Sequence, residues 1–252
     1  MNLYKNITLL GLIALLFMSC NDKEPQPKVN YEQDADTTAV ILQDTTKTQI
    51  ADLPVSFDST EVLMQISGLV SIEDLKKDGI SRYSLSSMKK DSRYSDDEFY
   101  TTSPPNDILR GWFTNIYFDD IIINKQQLLT KETLFVQSIH YLRKVAKKNG
   151  QHYLLYSVYD KDSNRDGKIT TEDLKSLYIR KLNGDGFRRI TESNHEYIRG
   201  NFNSTTYRYY FITLEDINRD GFFNKGDKYH YYYIDLLNND YQVIEYNPIN
   251  MD

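Results

Sequence analysis

The sequence predicts a mainly β chain of antiparallel strand repeats with little helix, and three observations carry that prediction. Tyrosine is over-represented, at 21 of 252 residues, and aromatic side chains favour strands. From Trp112 onward the chain runs through segments rich in Tyr, Ile, Phe and Val, each closed by Asn, Gly or Asp. The chain also matches itself at an offset of 54, where YLLYSVYDKDSNRDG (Tyr153 to Gly167) aligns with YRYYFITLEDINRDG (Tyr207 to Gly221).

Composition limits the function classes. With 30 basic and 36 acidic residues, the chain has a formal net charge of -6 and lacks the basic excess that nucleic-acid binding is built on. Near the N-terminus, Lys5 precedes an apolar run from Ile7 to Met18, too short to span a bilayer comfortably but suited to a signal-peptide core. That run ends in Phe17-Met18-Ser19-Cys20, which resembles the lipobox of bacterial lipoproteins, with Phe17 and Met18 bulkier than is usual there. The resemblance implies removal of residues 1–19, diacylation of the Cys20 thiol and anchoring in the cell envelope. Asn21 stands where an inner-membrane retention aspartate is absent, so the outer membrane is the implied destination. The mature chain then loses only Lys5, leaving 29 basic residues, 36 acidic residues and a charge of -7.

From residue 20 to 54 the chain is polar and aperiodic, with Pro25, Pro27 and repeated Thr, and reads as a flexible tether; Val40-Ile41-Leu42 is an alternative edge strand. Residues 55–252 form the β-rich domain. Ser71-Ile-Glu-Asp74 and Gly79 bracket one short helix over 72–78. Seven serines, Asp96-Asp97-Glu98 and Pro104-Pro105 make 81–106 a long loop. Strands are expected at 113–123, 151–159, 177–182, 206–214 and 228–237. Residues 134–145 fit helix or strand, with apolar residues at 135, 139, 142 and 145, and strand is preferred for its place between two others. Asn183-Gly184-Asp185-Gly186 marks a hairpin, because such turns need positive φ.

The segment 177–191 is also similar to repeats of periplasmic Tol-type β-propellers, over about fifteen residues only. The chain is too short for a full ring of such blades, which leaves a propeller-like meander or a sandwich.

The chemistry lies between the repeated strands. Asp162-Ser-Asn-Arg-Asp-Gly-Lys-Ile-Thr-Thr-Glu-Asp173 resembles the calcium loop of EF-hands, and with Asp at its twelfth position it is similar to dockerin loops. Oxygens at positions 1, 3 and 5 converge only if the chain turns sharply at position 6, where glycine takes a positive φ. The resemblance makes Asp162, Asn164 and Asp166 ligands, with the Lys168 carbonyl, Thr170 through water, and Asp173. Ile169 is expected to point into the core. The second copy, Asp216-Ile-Asn-Arg-Asp-Gly-Phe-Phe-Asn-Lys-Gly-Asp227, offers Asp216, Asn218, Asp220, the Phe222 carbonyl, Asn224 and Asp227. It departs from the pattern at Phe223, where an aliphatic residue is usual. An all-oxygen shell suits a hard cation; aspartate at position 12, shorter than glutamate, leans towards a smaller ion, but magnesium keeps its waters and demands strict octahedral geometry, so calcium is expected.

No catalytic set stands out. His140, His152, His195 and His230 are separated in sequence, and no phosphate loop, dinucleotide fingerprint or Gly-x-Ser-x-Gly is present. The expectation is a calcium-binding envelope lipoprotein rather than an enzyme. The alternative is a surface glycan-binding lipoprotein that stacks sugars on Trp112 and the Tyr229, Tyr231, Tyr232 and Tyr233 cluster.

Overall fold

The structure is a computed structural model that describes residues 25–31, 44–57, 60–73, 76, 107–184, 186–238 and 241–249. The signal segment, Cys20, Val40-Ile41-Leu42 and the serine-rich 81–106 lie outside the described residues. Of the helix expected over 72–78, Ile72, Glu73 and Lys76 are described, and all three are helical.

The strands are β1 (Lys47–Ala51), β2 (Val62–Ser71), β3 (Ile108–Phe113), β4 (Asn115–Asp120), β5 (Lys125–Leu128), β6 (Phe135–Tyr141), β7 (Tyr153–Tyr159), β8 (Lys175–Lys181), β9 (Arg188–Arg189), β10 (His195–Asn203), β11 (Arg208–Glu215), β12 (Lys228–Asp235) and β13 (Val243–Tyr246), with helix α1 (Arg143–Asn149) between β6 and β7. They form three sheets, in the orders β1-β2-β4-β5, β3-β6-β7-β8-β9 and β10-β11-β12-β13. Every strand pairing is antiparallel.

The five-stranded sheet is the middle layer of a sandwich, and β7 shows why. Leu154, Tyr156 and Val158 pack with Met64, Ile66, Ile116 and Phe118 of the first sheet. Tyr153 and Leu155 point the other way and pack with Tyr209, Phe211, Tyr232 and Ile234 of the last. A strand covered on both faces reads as a continuous apolar run, as YLLYSVY does. On β8, Leu177 and Ile179 join the second core, while Arg180 lies on the opposite face with its guanidinium 4.0 Å from the Phe118 ring centroid. Among the described residues the three sheets stack as layers around two cores, which is the sandwich of the two expected arrangements.

The repeat is real in three dimensions. β7–loop–β8 and β11–loop–β12 are both antiparallel hairpins, with Tyr159 opposite Lys175 and Glu215 opposite Lys228 at the loop ends. The Asn183–Gly186 hairpin also forms, joining β8 to β9, with Gly184 at φ 104 and Gly186 at φ 71.

Other sequence expectations need correction. The strand expected at 113–123 breaks at Thr114, where the chain leaves the middle sheet (β3 on β6) for the first sheet (β4 on β2). It then stops at Asp120, whose carboxylate accepts hydrogen bonds from the Ile122 and Ile123 amides at 3.1 and 3.2 Å, an Asx turn that leaves Ile121 to Ile123 exposed. Residues 134–145 are strand and then helix: β6 ends at Tyr141, Leu142 starts α1, and Gly150 closes it at φ 73 with its amide on the Ala146 carbonyl. Nor is the whole of 20–54 a tether, because Lys47–Ala51 pairs with β2 and 25–31 is bound to the two loops described next.

Candidate functional site

The two acidic loops fold alike. At position 4, Arg165 and Arg219 have φ 63 and 57; at position 6, Gly167 and Gly221 have φ 86 and 81. The double left-handed turn wraps the backbone around the position-1 carboxylate. Asp162 Oδ2 accepts the Gly167 amide at 2.8 Å, and Asp216 Oδ2 accepts the Gly221 amide at 2.8 Å. Asn164 Oδ1 accepts the Asp166 amide and Asn218 Oδ1 the Asp220 amide, both at 3.0 Å. Asp166 Oδ1 holds the Lys168 amide at 2.9 Å, matched by Asp220 and Phe222 at 2.8 Å.

The twelfth residue closes each ring. Asp173 takes the Ser163 amide on Oδ1 and the Thr170 amide on Oδ2, both at 2.7 Å. Asp227 takes the Ile217 amide on Oδ1 at 3.3 Å and the Asn224 amide on Oδ2 at 2.8 Å. Position 12 therefore reaches back to positions 2 and 9 in both copies. The register is fixed by Asp160, which belongs to the scaffold: it accepts from Ser176 Oγ and Tyr178 Oη and pairs with Arg189.

The electrostatics of the loops are unusual. Asp162, Asp173, Asp216 and Asp227 are exposed by only 7%, 0%, 6% and 7%. Carboxylates are almost never buried to this degree unless they are paired or hold a metal. Among the described residues, no Lys or Arg side chain pairs with any of the four. Burial raises the Asp173 carboxyl above the usual carboxylate range, despite the opposing effect of the amides it accepts from Thr170, Asn164 and Ser163. Asp216 Oδ1 is buried and has no hydrogen-bond partner among the described residues.

Ile169, at position 8, enters the core as expected, against Trp112, Tyr159 and Phe135. Trp112 is stacked on Phe135 at 4.9 Å and is 1% exposed, so it has no face to offer a sugar. Phe223, its counterpart at position 8 of the second loop, is only partly buried. The remaining ligand candidates, Asn164, Asp166, Lys168, Thr170, Asn218, Asp220, Phe222 and Asn224, sit on or near the rims of their loops. Thr170 Oγ1 accepts the Glu172 amide, and Asn224 Oδ1 the Gly226 amide.

Sequence reasoning missed the strap. Residues 25–31 lie across both loops: the Lys28 amide donates to the Gly221 carbonyl at 2.7 Å, and the Asn30 amide to the Ser163 carbonyl at 3.0 Å. Ser163 Oγ donates to the Lys28 carbonyl, while Lys28 Nζ reaches the Asp173 carbonyl at 3.1 Å and Glu196 at 3.0 Å. A Cβ on Gly221 would stand 2.3 Å from the Val29 carbonyl oxygen, so this glycine serves the close approach as well as the turn. Tyr31 lies beside Asp216, and burial with that negative charge pushes its phenol up to about 12. Nothing in PQPKVNY signals such a contact; it depends on loops more than a hundred residues away.

Two histidines read as unconnected are also brought together. The register of β10, β11 and β12 places His195 opposite Glu215 and Thr213 opposite His230, and the two imidazoles lie 4.8 Å apart. The loop carboxylates do not close to that extent. Among the described residues, the group of three metal-ligating side chains whose atoms all lie within 4.8 Å of one another is His195, Glu215 and His230.

No protein-family model matches the chain, and no curated protein matches it either.

Proposed function

We propose that the protein is a cell-envelope lipoprotein that holds structural calcium in two EF-hand-like loops, 162–173 and 216–227. The observation that carries this reading is the set of four buried carboxylates without cationic side-chain partners. A divalent ion supplies the missing positive charge, and the buried Asp216 Oδ1 is an oxygen ready to receive it. The role is structural because each loop joins two strands of a layered core and also holds the strap.

Titration calorimetry of the calcium-free chain is expected to give a stoichiometry near two. Asp162→Ala and Asp216→Ala should each delete one site and leave the other. Asp173→Ala should delete the first site and also cost about 1–3 kcal/mol for each buried amide it strands. Loops that do not titrate in the millimolar range, where extracellular modules bind calcium, rule the reading out.

The lipid anchor rests on the signal run and Cys20. Cys20→Ser is expected to block processing or move the protein from the membrane fraction to the soluble one. Unchanged processing and unchanged membrane retention contradict it.

Glycan binding is a second reading, favoured by one observation. The outer face of the last sheet carries Tyr210, Tyr231, Tyr233 and Tyr246 in mutual ring contact at 5.6–6.2 Å, with Tyr229 47% exposed at its end. A glycan array should then show binding that Tyr231→Ala or Tyr233→Ala removes, and a blank array with folded protein dismisses it.

A further inference from the structure

His195, Thr213, Glu215, His230 and Glu245 lie on one face of the last sheet. His195 faces Glu215 across β10 and β11, Thr213 faces His230 across β11 and β12, and Tyr232, two residues along from His230, faces Glu245 across β12 and β13. It is the inner face, which carries Phe211, Tyr232 and Ile234 into the second core. The polar group stands where β11 runs out, next to the second acidic loop.

From this arrangement we propose a further metal site, for a divalent transition ion with zinc as the best fit, ligated by His195, Glu215 and His230. The site shares no ligand with the calcium loops and differs from them in donor chemistry. Two imidazole nitrogens and one carboxylate suit zinc, whereas calcium takes oxygen donors alone.

Two features argue for a site rather than a chance meeting. One is the proximity of the three ligand atoms, all within 4.8 Å of one another. Around a tetrahedral zinc with bonds of 2.0–2.2 Å, ligand atoms stand roughly 3.3–3.6 Å apart, so only small side-chain shifts are needed. The shift that matters is separation of His230 Nε2 from Glu215 Oε2, now hydrogen-bonded at 2.8 Å. The other feature is the support behind the histidines. His230 Nδ1 is held by Glu245 Oε1 at 2.7 Å and His195 Nδ1 by Thr213 Oγ1 at 3.0 Å, which directs Nε2 of each ring to the site. Metal-binding histidines are held in this way, by a carboxylate or another hydrogen-bonding group on the second ring nitrogen. Three protein ligands leave the fourth position for water or an exogenous group.

The test is titration of the full chain, without a polyhistidine tag and in saturating calcium, with zinc by calorimetry and with cobalt(II) by visible absorption. The expected result is one zinc equivalent and the intense visible band of tetrahedral cobalt. His195→Gln and His230→Gln should each abolish both signals. Should either fail to fold, Thr213→Val and Glu245→Gln decide the matter, with an expected loss of zinc affinity of roughly 10–100-fold. Asp162→Ala, which removes a calcium ligand from the other loop, should leave zinc binding unchanged, so failure of the calcium reading and failure of this one are separable. Absence of a saturable zinc equivalent in the wild-type chain overturns the proposal, as does wild-type affinity in the folded histidine or supporting variants.

Discussion

Calcium is expected to raise the melting temperature of the chain by about 10–20 °C once both loops are filled. A ligand that binds only the native state adds RT ln(1 + [L]/Kd), which is about 2.7 kcal/mol per loop at 100 Kd and roughly 5 kcal/mol for two. For a body of about 200 residues, each kcal/mol moves the midpoint by about 2–4 °C. The gain has a local source. Folding carries Asp162, Asp173, Asp216 and Asp227 out of water, and Asp173 is completely enclosed. Without a cation that desolvation is offset by backbone amides and the Ser163 hydroxyl, all of them neutral donors; with one, it is offset by a full ionic shell. Chelation should reverse the shift, and a melting curve indifferent to calcium removes the structural role.

Trp112→Ala is expected to be the most damaging single truncation, at about 3–5 kcal/mol for a large buried aromatic. Its effect should also reach beyond stability. Trp112 and its neighbours Phe135 and Tyr159 form the pocket that receives Ile169, so the truncation unseats position 8 of the first loop. The variant should therefore lose calcium affinity at 162–173 and keep it at 216–227. Phe223→Ala, which removes a partly buried side chain, should cost far less. Equal loss at both loops in Trp112→Ala shows that the tryptophan stabilises the body without seating the loop.

The contrast between what was readable and what was not follows from sequence distance. An acidic loop must place its oxygens within twelve consecutive residues, so Asp162 to Asp173 and Asp216 to Asp227 announce themselves, down to the glycine at position 6. The strands beside the loops were legible for a similar reason: Tyr153–Tyr159 is apolar on both faces, and Arg208–Glu215 repeats it. His195–Asn203 was not, because HEYIRGNFN mixes a buried start with an exposed end and bulges between Tyr197 and Arg199. With β10 unseen, its register could not be drawn, and His195 could not be set beside Glu215 and His230. The apolar residues at 135, 139, 142 and 145 gave an ambiguous period because two elements share them.

The strap over residues 25–31 changes what the N-terminus does mechanically. Read as a tether to residue 54, it is a long leash that lets the body tumble. With residues 25–31 fastened to Gly221 and Ser163, only four residues of sequence, 21–24, separate Cys20 from the strap, a spacing that spans no more than about 18 Å at full extension. On the proposed lipid anchor at Cys20, the loop end of the sandwich would be held close against the bilayer and the molecule would take a fixed heading. A pull on that proposed anchor would be borne in shear by the hydrogen bonds at Lys28, Asn30 and Ser163, which would make the acidic loops the point where the membrane grips the fold.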